Sequence, residues 1–127
     1  MIVITSRIEV LDATRRDAIV AGSVEFQRAT REGEPGCLAY CFAADPIEPD
    51  RIQVYELWAD AGSLRAHFGH PNYLAMRRYL RNSGLRRAES QKYRCDLAEP
   101  VYDSLGVARS DFFTDDRPVS AGETNPG

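Results

Sequence analysis

Residues 54–73, VYELWADAGSLRAHFGHPNY, hold both histidines of the chain, His67 and His70, and its single tryptophan, Trp58. An imidazole with an ordinary pKa of about 6.5 can take or give a proton near neutral pH. Glu56 adds a carboxylate to the same stretch and Tyr73 a phenol. Proton transfer beside flat apolar walls is the chemistry this combination suits. A metal site is the obvious alternative, with Glu56, His67 and His70 as ligands. Gly69 and Pro71 interrupt the three-residue spacing of the histidines and no fourth ligand is evident, so no metal is expected. The plain structural readings stand beside the chemical ones. His67 could be bonded to a backbone carbonyl or to Glu56, and Trp58 could be core. Glu56, inward on a strand, needs a partner; Arg77, Arg87 and Arg94 are the candidates. His70 could simply start a helix.

These side chains need elements to aim them. Period-two alternation puts Glu56 and Trp58 on one face of a strand from Arg51 to about Ala59, with Tyr55 and Leu57 opposite. Asp60 reads as the N-cap of a short helix, 61–69, which places Leu64, His67 and Phe68 on one face by i, i+3, i+4 spacing. Pro71 suits the first turn of another helix, ending near Asn82 before Gly84 and carrying Tyr73, Met76, Arg77 and Leu80. Upstream, residues 2–9 alternate as a strand, and Asp12 caps one helix to about Arg31 with a stripe of Ala13, Val20 and Val24 flanked by Ile19 and Phe26. GEPG (33–36) stops it. CLAYCFAA (37–44) is a strand with Leu38, Tyr40 and Phe42 on one face, and DPIEPD turns it into the next. A last strand spans about Leu85 to Leu97. The order β-α-β-β-α-β predicts an α+β, ferredoxin-like fold: an antiparallel sheet with helices on one face. Apolar residues on the other face predict a homodimer closed through the open sheet face.

The chain has 127 residues and a net charge of −3, with 43% hydrophobic and 28% charged residues. That fits a single domain, read here as residues 1–102 with a polar C-terminal tail, 103–127, in which Val107, Phe112 and Phe113 could dock locally. The charge gives no reason to expect nucleic acid as a partner. No apolar run reaches the roughly 20 residues a membrane span needs, and the N-terminus does not read as a signal peptide, so no membrane partner is expected. Arg77, Arg78, Arg81, Arg86 and Arg87 read as a solvated face balancing 19 acidic residues. Cys37, Cys41 and Cys95 form no CxxC, and the first two are about 13 Å apart along a strand, too far to bridge. They read as reduced, mostly buried thiols in a cytoplasmic protein.

The pattern Glu56-x-Trp58-x-Asp60, then Leu64 and His67, then Pro71 and Tyr73, resembles the antibiotic biosynthesis monooxygenase family. Gly36 and Tyr40 and the element order agree with it over about residues 1–98. The resemblance implies a dimeric α/β barrel. It also implies a small aromatic substrate, a quinol or a polycyclic phenol or anthrone, oxidised by O₂ with no cofactor. Other members cleave haem or isomerise a sugar derivative. The haem-cleaving ones use a histidine further along the second helix, where this chain reads Met76-Arg77-Arg78-Tyr79. In the oxygenase reading His67, Tyr73 and Trp58 are the catalytic candidates, with His67 as base or proton relay. Tyr40, Glu56, Leu64, Phe68 and Met76 would contact substrate. Two other readings stay open: an isomerase using the same pocket, and a dimeric module that binds a small ligand without turnover.

Overall fold

The computed structural model describes residues 1–115. The chain divides into two compact units, Met1–Arg94 and a second that begins at Cys95. In the first, strands β1 (Ile2–Val10), β2 (Cys37–Ala44), β3 (Arg51–Trp58) and β4 (Leu85–Arg94) form one sheet in the order β2-β3-β1-β4. All three pairings are antiparallel. This is the predicted ferredoxin-like α+β plan. Ile4, Ile8 and Val10 of β1 and Ile52, Val54 and Trp58 of β3 turn to one face, where they are buried with Ile19, Leu64, Met76 and Leu80 from the helices. The last strand is shorter than expected, ending at Arg94. Arg77, Arg78, Arg81, Arg86 and Arg87 are exposed, as expected of a solvated face.

The expected single helix from Asp12 is instead a 3₁₀ turn (Ala13–Arg15), α1 (Arg16–Gly22) and α2 (Val24–Gly33). Asp12 caps the turn, accepting from the Thr14 amide at 3.0 Å. The break falls at Ser23. Its hydroxyl donates to the Val20 carbonyl at 2.6 Å and accepts from Gln27 Nε2 at 2.9 Å, a local bond that competes with helix continuation. The buried face is also not the predicted stripe: Ile19, Ser23, Gln27 and Thr30 are buried, while Ala13 and Val24 are exposed. The cause is the edge of the sheet. Gln27 brackets the outer backbone of β2, donating to the Phe42 carbonyl and accepting from the Phe42 amide, both at 3.0 Å. Arg31 Nε donates to the Tyr40 carbonyl at 2.6 Å. Side chains thus satisfy an edge strand that would otherwise present unpaired groups.

Leu38 was expected on the same face as Tyr40 and Phe42. A bulge between Cys37 and Ala39 moves it out of register, and it is 53% exposed. Beside the bulge Gly36 is required by close approach. A Cβ there would lie 2.2 Å from Ser63 Oγ in the first turn of α3 (Ala61–Phe68). The helix α4 (Pro71–Asn82) ends before Gly84, whose φ of +87° only glycine adopts freely.

In the second unit, Tyr102 and Ala108 form an isolated antiparallel bridge around a turn held by Asp103. Asp103 Oδ1 accepts from the amides of Leu105 and Val107. Arg109 pairs with Asp111 and Asp103 and lies 5.2 Å from the Phe113 ring centre. Val107 and Phe112 are exposed. The polar stretch PVSAGETNPG (118–127) lies outside the described residues. Among the described residues no helix is long and apolar enough to cross a membrane.

Candidate active site

Three elements meet over the β2–β3 end of the sheet. Strand β3 supplies Glu56 and Trp58 on its helix face, and Tyr40 of β2 lies directly across from Glu56. Asp60 starts α3 by accepting from the Ser63 amide at 2.7 Å. With only Ala59 and Asp60 between strand and helix, the buried side of α3 falls on the β3 side chains. Leu64 and His67 form that side. Helix α4 brings Tyr73 and Met76, the latter buried.

His67 is 1% exposed and Trp58 0%. Their ring centres are 4.4 Å apart at 35°. Tyr73 approaches the imidazole edge-on at 5.2 Å and Tyr40 at 5.7 Å. The window that crowded the sequence therefore folds into one aromatic cluster centred on His67. Phe68 was expected inward with Leu64 and His67. It is exposed, packing its ring on Tyr73 at 5.3 Å and on His67 at 6.0 Å. α3 has only eight residues, its inward arc ends at His67, and the chain leaves the helix at Gly69. Phe68 and half-buried Tyr73 thus form the outer wall, and the interior is closely packed.

The polar partners differ from those expected. His67 Nδ1 lies 2.9 Å from Glu34 Oε1, and both side chains are buried. Glu34 is the residue just past α2, where its amide donates to the Thr30 carbonyl. Its other oxygen, Oε2, accepts from Asn72 Nδ2 at 3.2 Å, and Asn72 Nδ2 also donates to the Ala29 carbonyl at 3.2 Å. Glu56 does not take the expected arginine as its hydrogen-bond partner. The indole N–H of Trp58, two residues along the same face, donates to it at 2.9 Å. Arg87 pairs with its strand neighbour Glu89. Arg77, Arg87 and Arg94 are all exposed, and a tryptophan at i+2 already points the same way as Glu56.

Burial sets the protonation states. His67 is held below the usual histidine value because burial disfavours the imidazolium, with Glu34 opposing. Glu56 is raised by burial, opposed by the Trp58 hydrogen bond and reinforced by the Glu34 charge. The Tyr40 hydroxyl is pushed far up by burial and by Glu56 and Glu34, so it remains a donor. Cys37, half-buried nearby, is pushed up to about 11 by burial and the same two carboxylates. Cys41 was expected to be buried with it; on the opposite face of β2, it is exposed. At neutral pH the site therefore offers a neutral imidazole whose Nδ1 faces a carboxylate. Among the described residues nothing hydrogen-bonds its Nε2. That nitrogen can accept a proton.

His70 has a different task. It is the N-cap of α4, its Nδ1 accepting from the Asn72 amide at 3.0 Å. The Nδ1 atoms of the two histidines are thus committed to separate partners. Among the described residues no three metal-ligating side chains converge.

Sequence reasoning missed Glu34 and Asn72. Thirty-three residues separate Glu34 from His67, so no spacing rule joins them. The available signal was a carboxylate set inside the stop Gly33-Glu34-Pro35-Gly36, where a solvated acid needs no such fixed backbone.

Among curated proteins, none matches this chain. The solved structures it resembles include a protein of the antibiotic biosynthesis monooxygenase type from Deinococcus radiodurans, at 20% identity and a TM-score of 0.67 over 81% of this chain and 100% of that one. One of the same type from Nitrosomonas europaea gives 18% and 0.65, covering 76% and 100%. A conserved protein from Methanosarcina mazei gives 19% and 0.63, covering 73% and 90%. At these identities the likeness is one of fold. The family model for antibiotic biosynthesis monooxygenase matches residues 1–79, the segment that carries Glu34, Tyr40, Glu56, Trp58, His67 and Tyr73, and the chain belongs to that family.

Proposed function

We propose that this protein is a cofactor-free monooxygenase that deprotonates an electron-rich aromatic, a quinol or an anthrone, and lets the resulting anion react with O₂. The observation that carries the reading is His67: an imidazole kept neutral by burial, 4.4 Å from an indole, with one nitrogen beside a carboxylate and the other without a hydrogen-bond partner among the described residues. Triplet O₂ reacts slowly with closed-shell molecules, but an anion can pass it one electron. The protein's tasks are then to take a proton, hold the anion and exclude water. For an anthrone, His67 Nε2 takes a methylene proton and the carbanion reduces O₂ by one electron. The radical pair joins as a peroxide, which loses water to leave a carbonyl. One oxygen atom ends in the product and the other in water. The Tyr40 hydroxyl, locked in its protonated form, is a donor for the developing charge. Trp58, whose N–H is taken by Glu56, serves as wall. Tyr73 and Phe68 stand where a flat ring would enter, and Leu64 and Met76 bound the interior.

The open sheet face supports a homodimer. Tyr55, Tyr93 and Leu38 are exposed there or at its edge, together with Cys41. Three unbridged thiols fit a reducing compartment such as the cytoplasm.

The test is oxygen-electrode uptake by chelator-treated protein with a panel of quinols and anthrones, beside His67→Gln. Uptake by the wild type that falls at least about 10²-fold in the variant is expected. Equal uptake by both removes His67 from the chemistry. Conversion of a hydroxy-carbonyl compound without O₂ consumption transfers the site to an isomerase.

A further inference from the structure

The hydrogen-bond directions around Glu34 extend that reading to a residue outside the aromatic cluster. Asn72 Nδ2 donates twice, to the Ala29 carbonyl and to Glu34 Oε2, both at 3.2 Å. A carbonyl oxygen can only accept, so the Ala29 contact fixes which end of the Asn72 amide faces Glu34: the NH₂ end. Glu34 accepts from Asn72 on one oxygen and faces His67 Nδ1 with the other at 2.9 Å. A carboxylate cannot donate, so Nδ1 must carry the proton and Nε2 must be bare.

We infer that Asn72 and Glu34 are positioning residues that set the tautomer of His67, through a chain running from the Ala29 carbonyl to Asn72, to Glu34, to Nδ1–H, leaving Nε2 as the basic atom. The chain joins three elements that the sequence separates: the last turn of α2, the first turn of α4 and the end of α3. It also gives Glu34 a second task, to stabilise the imidazolium that forms when Nε2 takes the substrate proton. Its importance for turnover rests on the proposed oxygenase; its effect on the tautomer does not.

The chain makes an unusual demand on an isosteric substitution. In Glu34→Gln the new amide has one donor end and one acceptor end. Asn72 presents NH₂, so the Gln oxygen turns to Asn72 and the Gln NH₂ turns to His67. Nδ1 must then accept, and the imidazole proton moves to Nε2. The base becomes a donor with almost no change of shape. Adding Asn72→Ala removes the constraint, letting the Gln oxygen return to Nδ1–H.

The experiment is ¹⁵N NMR of the histidine ring nitrogens at pH 7.5 in full-length wild type, Glu34→Gln and Glu34→Gln/Asn72→Ala. Expected are Nδ1–H for wild-type His67, Nε2–H in the single variant, and recovery of Nδ1–H in the double variant. Oxygen uptake is expected to follow, with kcat down at least about 10²-fold in the single variant and partly restored in the double. Nε2–H in the wild type overturns the inference without any variant, and so does an unchanged tautomer in folded Glu34→Gln. If the tautomers behave as stated while no substrate drives oxygen uptake, the positioning chain stands and the oxygenase reading falls.

Discussion

On the helix-covered face of the sheet, two carboxylates and an imidazole are buried among aromatic rings: Glu34, Glu56 and His67 beside Trp58 and Tyr40. On the open face the chemistry is reversed. Tyr55 and Tyr93 are 45% and 51% exposed, in line with Thr5, Arg7, Gln53, Glu89 and Gln91, where a shallow depression of about 640 Å³ lies. Burying a charge without use costs stability, and exposing large apolar groups without use invites association. Each face departs from the simplest folding rule in its own direction. In the proposed reading the departures separate two tasks, proton chemistry on the dry side and assembly on the wet side.

The largest effect should come from the shared wall of the dry side. Trp58→Ala is expected to destabilise the fold by about 3–5 kcal/mol, seen as a lower denaturation midpoint, because a fully buried indole leaves a cavity and an orphaned Glu56. A loss below about 1 kcal/mol would mean that the cluster is loosely packed. Next, Glu56→Gln tests whether the buried charge is a burden. The raised value means that the native carboxyl binds its proton more readily than the unfolded one, so the ionised form weakens the fold once pH passes about 4.5. The amide oxygen can keep the Trp58 bond. The variant should therefore gain about 1 kcal/mol at pH 7, several degrees in Tm, and the gain should vanish below pH 4. Destabilisation at pH 7 would show that the charge itself has a partner it serves.

On the wet side, Tyr55→Glu should leave Tm measured on dilute protein within about 2 °C while shifting sedimentation from dimer to monomer. A monomeric wild type at high concentration would remove the assembly role from this face. Smallest of all, a maleimide reagent at pH 7, applied to the monomeric Tyr55→Glu variant, should label Cys41 well before Cys37, with no change in Tm. Cys41 is exposed, whereas Cys37 is half-buried with its thiol pushed up to about 11. Preferential labelling of Cys37 would contradict the assignment of faces.

The parts of this arrangement readable in the sequence are those fixed by local rules. Asp60 and Pro71 mark helix starts through one side-chain bond and one missing N–H, and α3 and α4 begin where those residues say. Alternation in β3 places Glu56 and Trp58 together because strand period two admits no drift. What stayed hidden depends on contacts between distant segments. Ser23 breaks a helix because Gln27 is needed at the edge of β2, a demand visible only once the sheet exists. Leu38 leaves its face through a bulge that period counting cannot see. Glu34 and Asn72 reach His67 from elements that meet only in three dimensions.

The proposed oxygenase depends most on His67 being neutral and basic at working pH. The direct measurement is the pH dependence of kcat/KM for oxygen uptake, read between pH 5 and 9. Because burial lowers the histidine value, the unprotonated base predominates above about 6.5 and is lost as pH falls through the lowered value. Expected are a plateau at neutral and alkaline pH and one acidic limb with its midpoint below 6.5. A midpoint above 7, or a rate that rises as the imidazole becomes protonated, would contradict the proposal.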